Sequence, residues 1–169
     1  MKRGERPGTG PQTEAPYEDA SLRREGIVFL LFAASVAAYC AAMVLPAFCI
    51  NSRCDGWPGW GVLVMGMLGL ASAYPTNFIW LANPLLFASW LAMLQRVRLP
   101  AIACSVLALG LGFAFLLATK VMVSESGTPN RVEGYGVGYW LWLASIAIAC
   151  CASLLVRSAK ATTSTKEAK

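Results

Sequence analysis

Histidine is absent from the 169 residues, and the nine carboxylates, Glu5, Glu14, Glu18, Asp19, Glu25, Asp55, Glu125, Glu133 and Glu167, all lie outside the long apolar runs. Proton pumps, ion-coupled transporters and intramembrane metalloenzymes keep an ionisable group or ligand cluster at membrane depth, where its chemistry offsets the several kcal/mol that burial costs. This composition argues against all three, and no metal or cofactor is expected. No Gly-rich phosphate loop follows a strand pattern, which excludes Rossmann and P-loop enzymes. Charge is also scarce. Only 14% of residues are charged and 57% are hydrophobic, against about 25% charged in soluble domains. An integral membrane protein follows. The net charge of +5 flanks apolar segments and reads as topology, so no nucleic-acid partner is expected.

The chain predicts an all-α membrane domain over residues 26–156. Residues 1–25 carry three Pro, three Gly and five charges of each sign, too few apolar groups to offset the entropy of ordering, and read as a disordered cytoplasmic tail. They are too long and too acidic for the n-region of a signal peptide. Four spans are expected at about 26–48, 76–95, 101–122 and 137–156, each near the ~20 residues that cross a ~30 Å hydrocarbon core. The Asn83-Pro84 pair predicts a kink in the second, because proline frees a carbonyl one turn earlier. Residues 157–169 form a basic cytoplasmic tail. Small residues recur every four positions at Ala34, Ala38 and Ala42, at Cys104, Ala108 and Gly112, and at Ser145, Ala149 and Ser153. Such stripes let helices approach closely in lipid and are the expected packing faces.

The apolar run 59–73 is short, about 22 Å of helix, with aromatic residues at both ends. Charge decides whether it crosses. If it does not, Arg23, Arg24, Arg96, Arg98, Arg157 and Lys160 share one side against Arg53, Lys120 and Arg131. If it does, the bias becomes four to five and opposes the positive-inside rule. The expectation is therefore a short interfacial or re-entrant helix at the outer face, with both termini cytoplasmic and the 123–136 loop outside.

Four of the six cysteines, Cys40, Cys104, Cys150 and Cys151, fall in apolar helix and read as packing residues. Cys49 and Cys54 share the outer loop and form the disulfide candidate, structural if it pins the outer helix to the first span. Four spans with a cysteine pair after the first resemble the quinone-linked disulfide-generating membrane enzymes. That family also needs a second outer pair, and residues 123–136 contain no cysteine. Lys120 reads as a snorkelling cation. Together with Trp57, Trp60, Tyr74, Tyr135, Tyr139, Trp140 and Trp142 it marks an outer aromatic belt that is also a candidate groove for lipid or quinone.

The segments Trp80-Leu81-Ala82-Asn83-Pro84-Leu85 and Gly134-Tyr135-Gly136-Val137-Gly138-Tyr139-Trp140-Leu141-Trp142-Leu143-Ala144-Ser145 resemble those of small bacterial four-span membrane proteins that carry no assigned activity. The resemblance implies a bacterial inner-membrane location. The expected function is non-enzymatic: an accessory or scaffold subunit packing through small-residue faces against another membrane protein or itself. The alternative is an outer-face lipid or quinone binder, or a thiol oxidoreductase using Cys49 and Cys54.

Overall fold

The computed structural model describes residues 15–49, 57–70, 75–118, 120–121 and 130–156. Five α-helices dominate: α1 (Ala15–Val44), α2 (Gly59–Gly69), α3 (Ala82–Leu94), α4 (Arg98–Ala114) and α5 (Val137–Leu155). Among the described residues, three helical stretches are long and apolar enough to cross a membrane, Leu22–Val44, Arg98–Leu117 and Val137–Leu155, while Gly59–Gly69 and Phe78–Leu94 are apolar but shorter.

Several boundaries differ from the sequence reading. The tail expected to end at 25 is helical from Ala15, because extending a helix already nucleated in the apolar run adds one hydrogen bond per residue fixed. At its other end α1 stops at Val44 rather than 48, since Pro46 disfavours helical backbone at Leu45. The segment expected as 76–95 opens as a 3-10 helix, Pro75–Leu81, and becomes α-helical only at Ala82. Pro84 thus falls in the first turn of α3, where no donor is required. The stretch expected as helix to 122 ends α4 at Ala114, adds a 3-10 turn Phe115–Leu117 and becomes extended at Ala118. Lys120 therefore lies on a strand. Strand β2 (Lys120–Val121) pairs antiparallel with β3 (Asn130–Arg131), exposing the lysine and burying the β-branched valine.

Helix α5 packs on α1 and on α4, and α4 on α3. The inner faces combine small residues and serines with a few large side chains, Tyr39, Leu86, Met93 and Ile146. Ser35 Oγ donates to the Ser145 carbonyl at 2.8 Å and accepts from Trp90 Nε1 at 3.1 Å. Ser89 Oγ donates to the Ala101 carbonyl at 2.9 Å, and the Ser105 and Ser153 hydroxyls lie 3.1 Å apart. These bonds join α1 to α5, α3 to α1, α3 to α4 and α4 to α5. Close approach of the helices and these bonds hold the bundle together.

The two ends of the bundle differ. At one end a hairpin joins α3 to α4 through Gln95, Arg96 and Val97. Arg96 is left-handed, with φ 56°, while Val97 N donates to Ala92 O at 2.9 Å and Arg96 N to Met93 O at 3.0 Å. This is a Schellman termination with arginine where glycine is usual. At the other end, the cap, residues 45–49 are bonded along both edges. On one edge Ala47 N donates to Trp57 O at 2.9 Å and Gly59 N to Leu45 O at 3.1 Å. On the other, β1 (Phe48–Cys49) pairs antiparallel with β4 (Gly134–Tyr135), and Gly136 N and Gly138 N reach Ala47 O and Pro46 O at 2.9 and 2.8 Å.

These approaches leave no space for side chains. A Cβ on Gly59 would run into the Ala42 carbonyl, and one on Gly138 would sit 2.6 Å from Leu45 O, whereas one on Gly110 meets nothing within 4 Å. Gly138→Ala is expected to lower the unfolding free energy in detergent by about 1–3 kcal/mol, as overpacking does. Gly110→Ala is expected to raise it by about 0.5–1 kcal/mol, because the unfolded chain loses freedom. Equal effects from the two would contradict the cap described here.

Candidate functional site

The cap end holds a partly open cavity of about 120 Å³. Helix α2 forms one wall with Val62, Leu63 and Gly66, and the end of α1 another with Ala42 and Met43. Phe48, Phe115 and Val121 also line it, as do Trp80, Asn83, Tyr139 and Trp142. Nearly all of this lining is hydrocarbon or aromatic ring.

Asn83 is the polar exception, and it is buried. Its Oδ1 accepts from Trp142 Nε1 at 2.9 Å and from the Tyr39 hydroxyl at 3.3 Å. Its Nδ2 donates to the Trp80 carbonyl at 3.1 Å. That carbonyl lies on the 3-10 segment just before α3, and Pro84, four residues on, has no N–H to offer it, so the asparagine side chain provides a donor there. Three partners fix the amide's orientation, and its second Nδ2 hydrogen has no acceptor among the described residues. Trp80 is held in turn by donation from Nε1 to the Leu63 carbonyl at 2.7 Å, which ties α2 to the start of α3.

Beside the cavity runs a chain of rings: Phe48 and Phe115 at 6.2 Å, Phe115 and Tyr135 at 5.7 Å, Tyr135 and Tyr139 at 4.8 Å, Tyr139 and Trp142 at 5.9 Å. The tyrosine hydroxyls are engaged. Tyr135 donates to the Phe115 carbonyl at 3.0 Å and Tyr139 to the Gly112 carbonyl at 2.9 Å. Burial pushes the Tyr135 phenol above its ordinary value, so it stays protonated at neutral pH and keeps donating.

The structure distributes the sequence-derived candidates unevenly. Tyr139 and Trp142 line the cavity, Tyr135 stands beside it, and Trp57 packs with Ala47, Phe48 and Val121. Trp60 and Trp140 point outward, 59% and 51% exposed, and Lys120 is exposed on β2. Tyr74 and Cys54 lie outside the described residues. Cys49 is on β1, its carbonyl bonded to Glu133 N. Among the packing positions, Ser145, Ala149, Ser153, Ala108, Gly112 and Ala42 are buried, Ala38 and Cys104 are half-buried, and Ala34 is exposed. The residue that packs in that turn of α1 is Ser35.

Asn83, Trp80, Phe48 and Phe115 are among the cavity residues that the sequence reading missed. A signal existed for the first: a lone amide in an otherwise apolar segment must find partners, because leaving it unpaired in hydrocarbon costs several kcal/mol. No family model, curated protein or solved structure matches the chain. Asn83→Leu strands the Tyr39 hydroxyl, the Trp142 indole N–H and the Trp80 carbonyl. It should cost about 2–4 kcal/mol, the range for orphaned buried partners, read as the midpoint of thermal or denaturant unfolding in detergent. Asn83→Gln keeps the chemistry and should cost less.

Proposed function

We propose that the chain is a non-enzymatic multi-pass protein of a bacterial inner membrane that holds a lipophilic molecule in the cap-end cavity. The observation that carries this reading is the cavity's lining: hydrocarbon and aromatic rings with one buried amide, and among the lining residues no carboxylate, thiol or imidazole. Its volume, about 120 Å³, compares with the ~150 Å³ of an apolar engineered cavity that binds benzene. A ring or a short stretch of chain is the size of guest that fits. The free Asn83 hydrogen suits a guest with a carbonyl or ether oxygen, such as a quinone head or an acyl ester.

In this reading four segments cross and the cap end faces outward. The 3-10 and α-helical parts of residues 75–94 together rise about 33 Å, enough for a span. The end of α1 and the start of α3 lie at the same end of the bundle, since α2 bonds to Leu45 through Gly59 and to Trp80 through Leu63. An even number of crossings between them is required, and α2, about 16 Å long, supplies none. Its outward residues Trp60, Val64, Met67 and Leu68 are apolar and exposed. A helix apolar all round belongs in a non-aqueous setting, so α2 dips into the outer leaflet as a re-entrant element. Unlike the other four described cysteines, Cys49 is not a free thiol, and this reading assigns Cys54 as its partner in a structural bridge.

A second reading, an accessory subunit docking against another membrane helix, is favoured by the outward face of α1. Ala33, Ala34, Ala37 and Cys40 are exposed there at helical spacing.

Purification in mild detergent followed by solvent extraction and mass spectrometry tests the first reading. The wild type should carry a lipid or quinone near one per chain, and Val62→Trp, which fills the cavity, should lower it at least about tenfold while keeping the thermal midpoint. No guest above the detergent blank would overturn it. Topology is tested separately in a cysteine-free background. Thr128→Cys should react with an impermeant maleimide on intact cells, and Val97→Cys only after permeabilisation.

A further inference from the structure

Helices α1 and α3 face each other across a seam that backbone contacts do not close. Each packs on another helix instead, and large rings span the gap: Tyr39 to Phe87 at 5.3 Å, Tyr39 to Trp90 at 5.5 Å and Phe32 to Trp90 at 6.3 Å. Toward the hairpin end the seam opens into a groove of about 530 Å³, which Leu155 and Val156 at the end of α5 also line. Its walls are apolar, among them Phe29, Phe32 and Leu94, and its mouth carries Arg24, Glu25 and Arg96.

We propose that this groove is a binding site for an acidic glycerophospholipid, with an acyl chain in the seam and the headgroup phosphate between Arg24 and Arg96. Charge complementarity and shape select this occupant. A hydrophobic wall leading to a guanidinium mouth matches a molecule with an anionic head and a hydrocarbon tail, and matches neither a soluble anion nor a neutral chain. Arg96 gives two donors to Glu25, at 3.1 and 3.4 Å. A guanidinium has five, so three remain on Arg96 for phosphate oxygens. No hydrogen bond or ion pair to another described residue involves Arg24, which leaves its whole fork for the same phosphate. The carboxylate of Glu25 fixes the Arg96 side chain across the mouth. The site lies at the opposite end from the cap cavity and needs only that the helices sit in a bilayer, so it stands or falls apart from the function proposed above.

Gly26 provides the discriminating variant. It borders the groove, and a Cβ there meets nothing within 4 Å, so Gly26→Phe adds bulk at the groove while keeping both arginines in the sequence. The assay reconstitutes the full chain in vesicles of equal phosphatidylglycerol and phosphatidylethanolamine, re-extracts it in mild detergent, and measures the two retained lipids by native mass spectrometry. The wild type should retain phosphatidylglycerol over phosphatidylethanolamine by about tenfold, as two basic groups at a membrane surface allow. Both Gly26→Phe and the Arg24→Gln, Arg96→Gln double variant should bring the ratio to about one to two. Arg98→Gln, outside the groove, should leave it unchanged. The proposal is overturned if the wild type shows no preference, if Gly26→Phe keeps it, or if Arg98→Gln abolishes it as fully as the double variant does. The last result would show general surface charge rather than a site. If the double variant does not fold, Gly26→Phe decides alone.

Discussion

Residues 45–49 are the segment on which the cap depends. Pro46 ends α1, and the main chain that follows has polar groups with no helical partner, which must be satisfied elsewhere in the protein where they are buried. Here both edges are satisfied, by residues 57–59 on one side and 134–138 on the other. That pairing brings the starts of α2 and α5 against the end of α1, with glycines at the points where backbone meets backbone. The cavity is the space left when α2 is held off the bundle by its own attachments, at Leu45 and at Trp80.

Much of the helical content was legible because apolar length is a strong signal, and the phase of packing was not, because small-residue spacing is a weak one. The α5 stripe Ser145, Ala149, Ser153 is buried throughout. On α1, extending a strict spacing of four gives Ala34, Ala38 and Ala42, but the helix turns 400° in four residues, so the stripe drifts around it. The buried set is Ser35, Tyr39 and Ala42, with steps of four and three, and on α4 it is Ala101, Ser105, Ala108 and Gly112. Serine and tyrosine carry the polar contacts that alanine lacks, which is why they take the inner face when the two compete. Lys120 was misplaced for a different reason: composition shows an apolar run to Met122, yet the β-branched residues near its end favour a strand once the helix has passed Ala114.

The cap-end site was half legible. Aromatic residues flank the short run, but a belt and a pocket have the same composition, and only tertiary placement separates Tyr139 and Trp142 from Trp60 and Trp140. Asn83-Pro84 shows the limit of reading a local motif locally. As a dipeptide it signals a break. In the fold the asparagine repairs the break it accompanies, bonding the carbonyl left by proline, and then gathers two donors from α1 and α5. One residue therefore sets the start of α3 and its distance from both neighbours.

The hairpin end poses the opposite question, because there the structure accepts a cost. An L-residue in the left-handed region costs about 1 kcal/mol relative to glycine, and Arg96 occupies it with φ 56°. The ion pair to Glu25 does not obviously repay this. Both side chains are exposed, 63% and 61%, and exposed pairs contribute between about 0 and 1 kcal/mol. Glycine at 96 would complete the same Schellman turn without strain. What glycine cannot do is carry a guanidinium across the mouth of the α1–α3 seam. A strained residue retained where an easier one would fold directs attention to what its side chain reaches, and the side chain of Arg96 reaches the one described groove whose mouth is charged and whose walls are not.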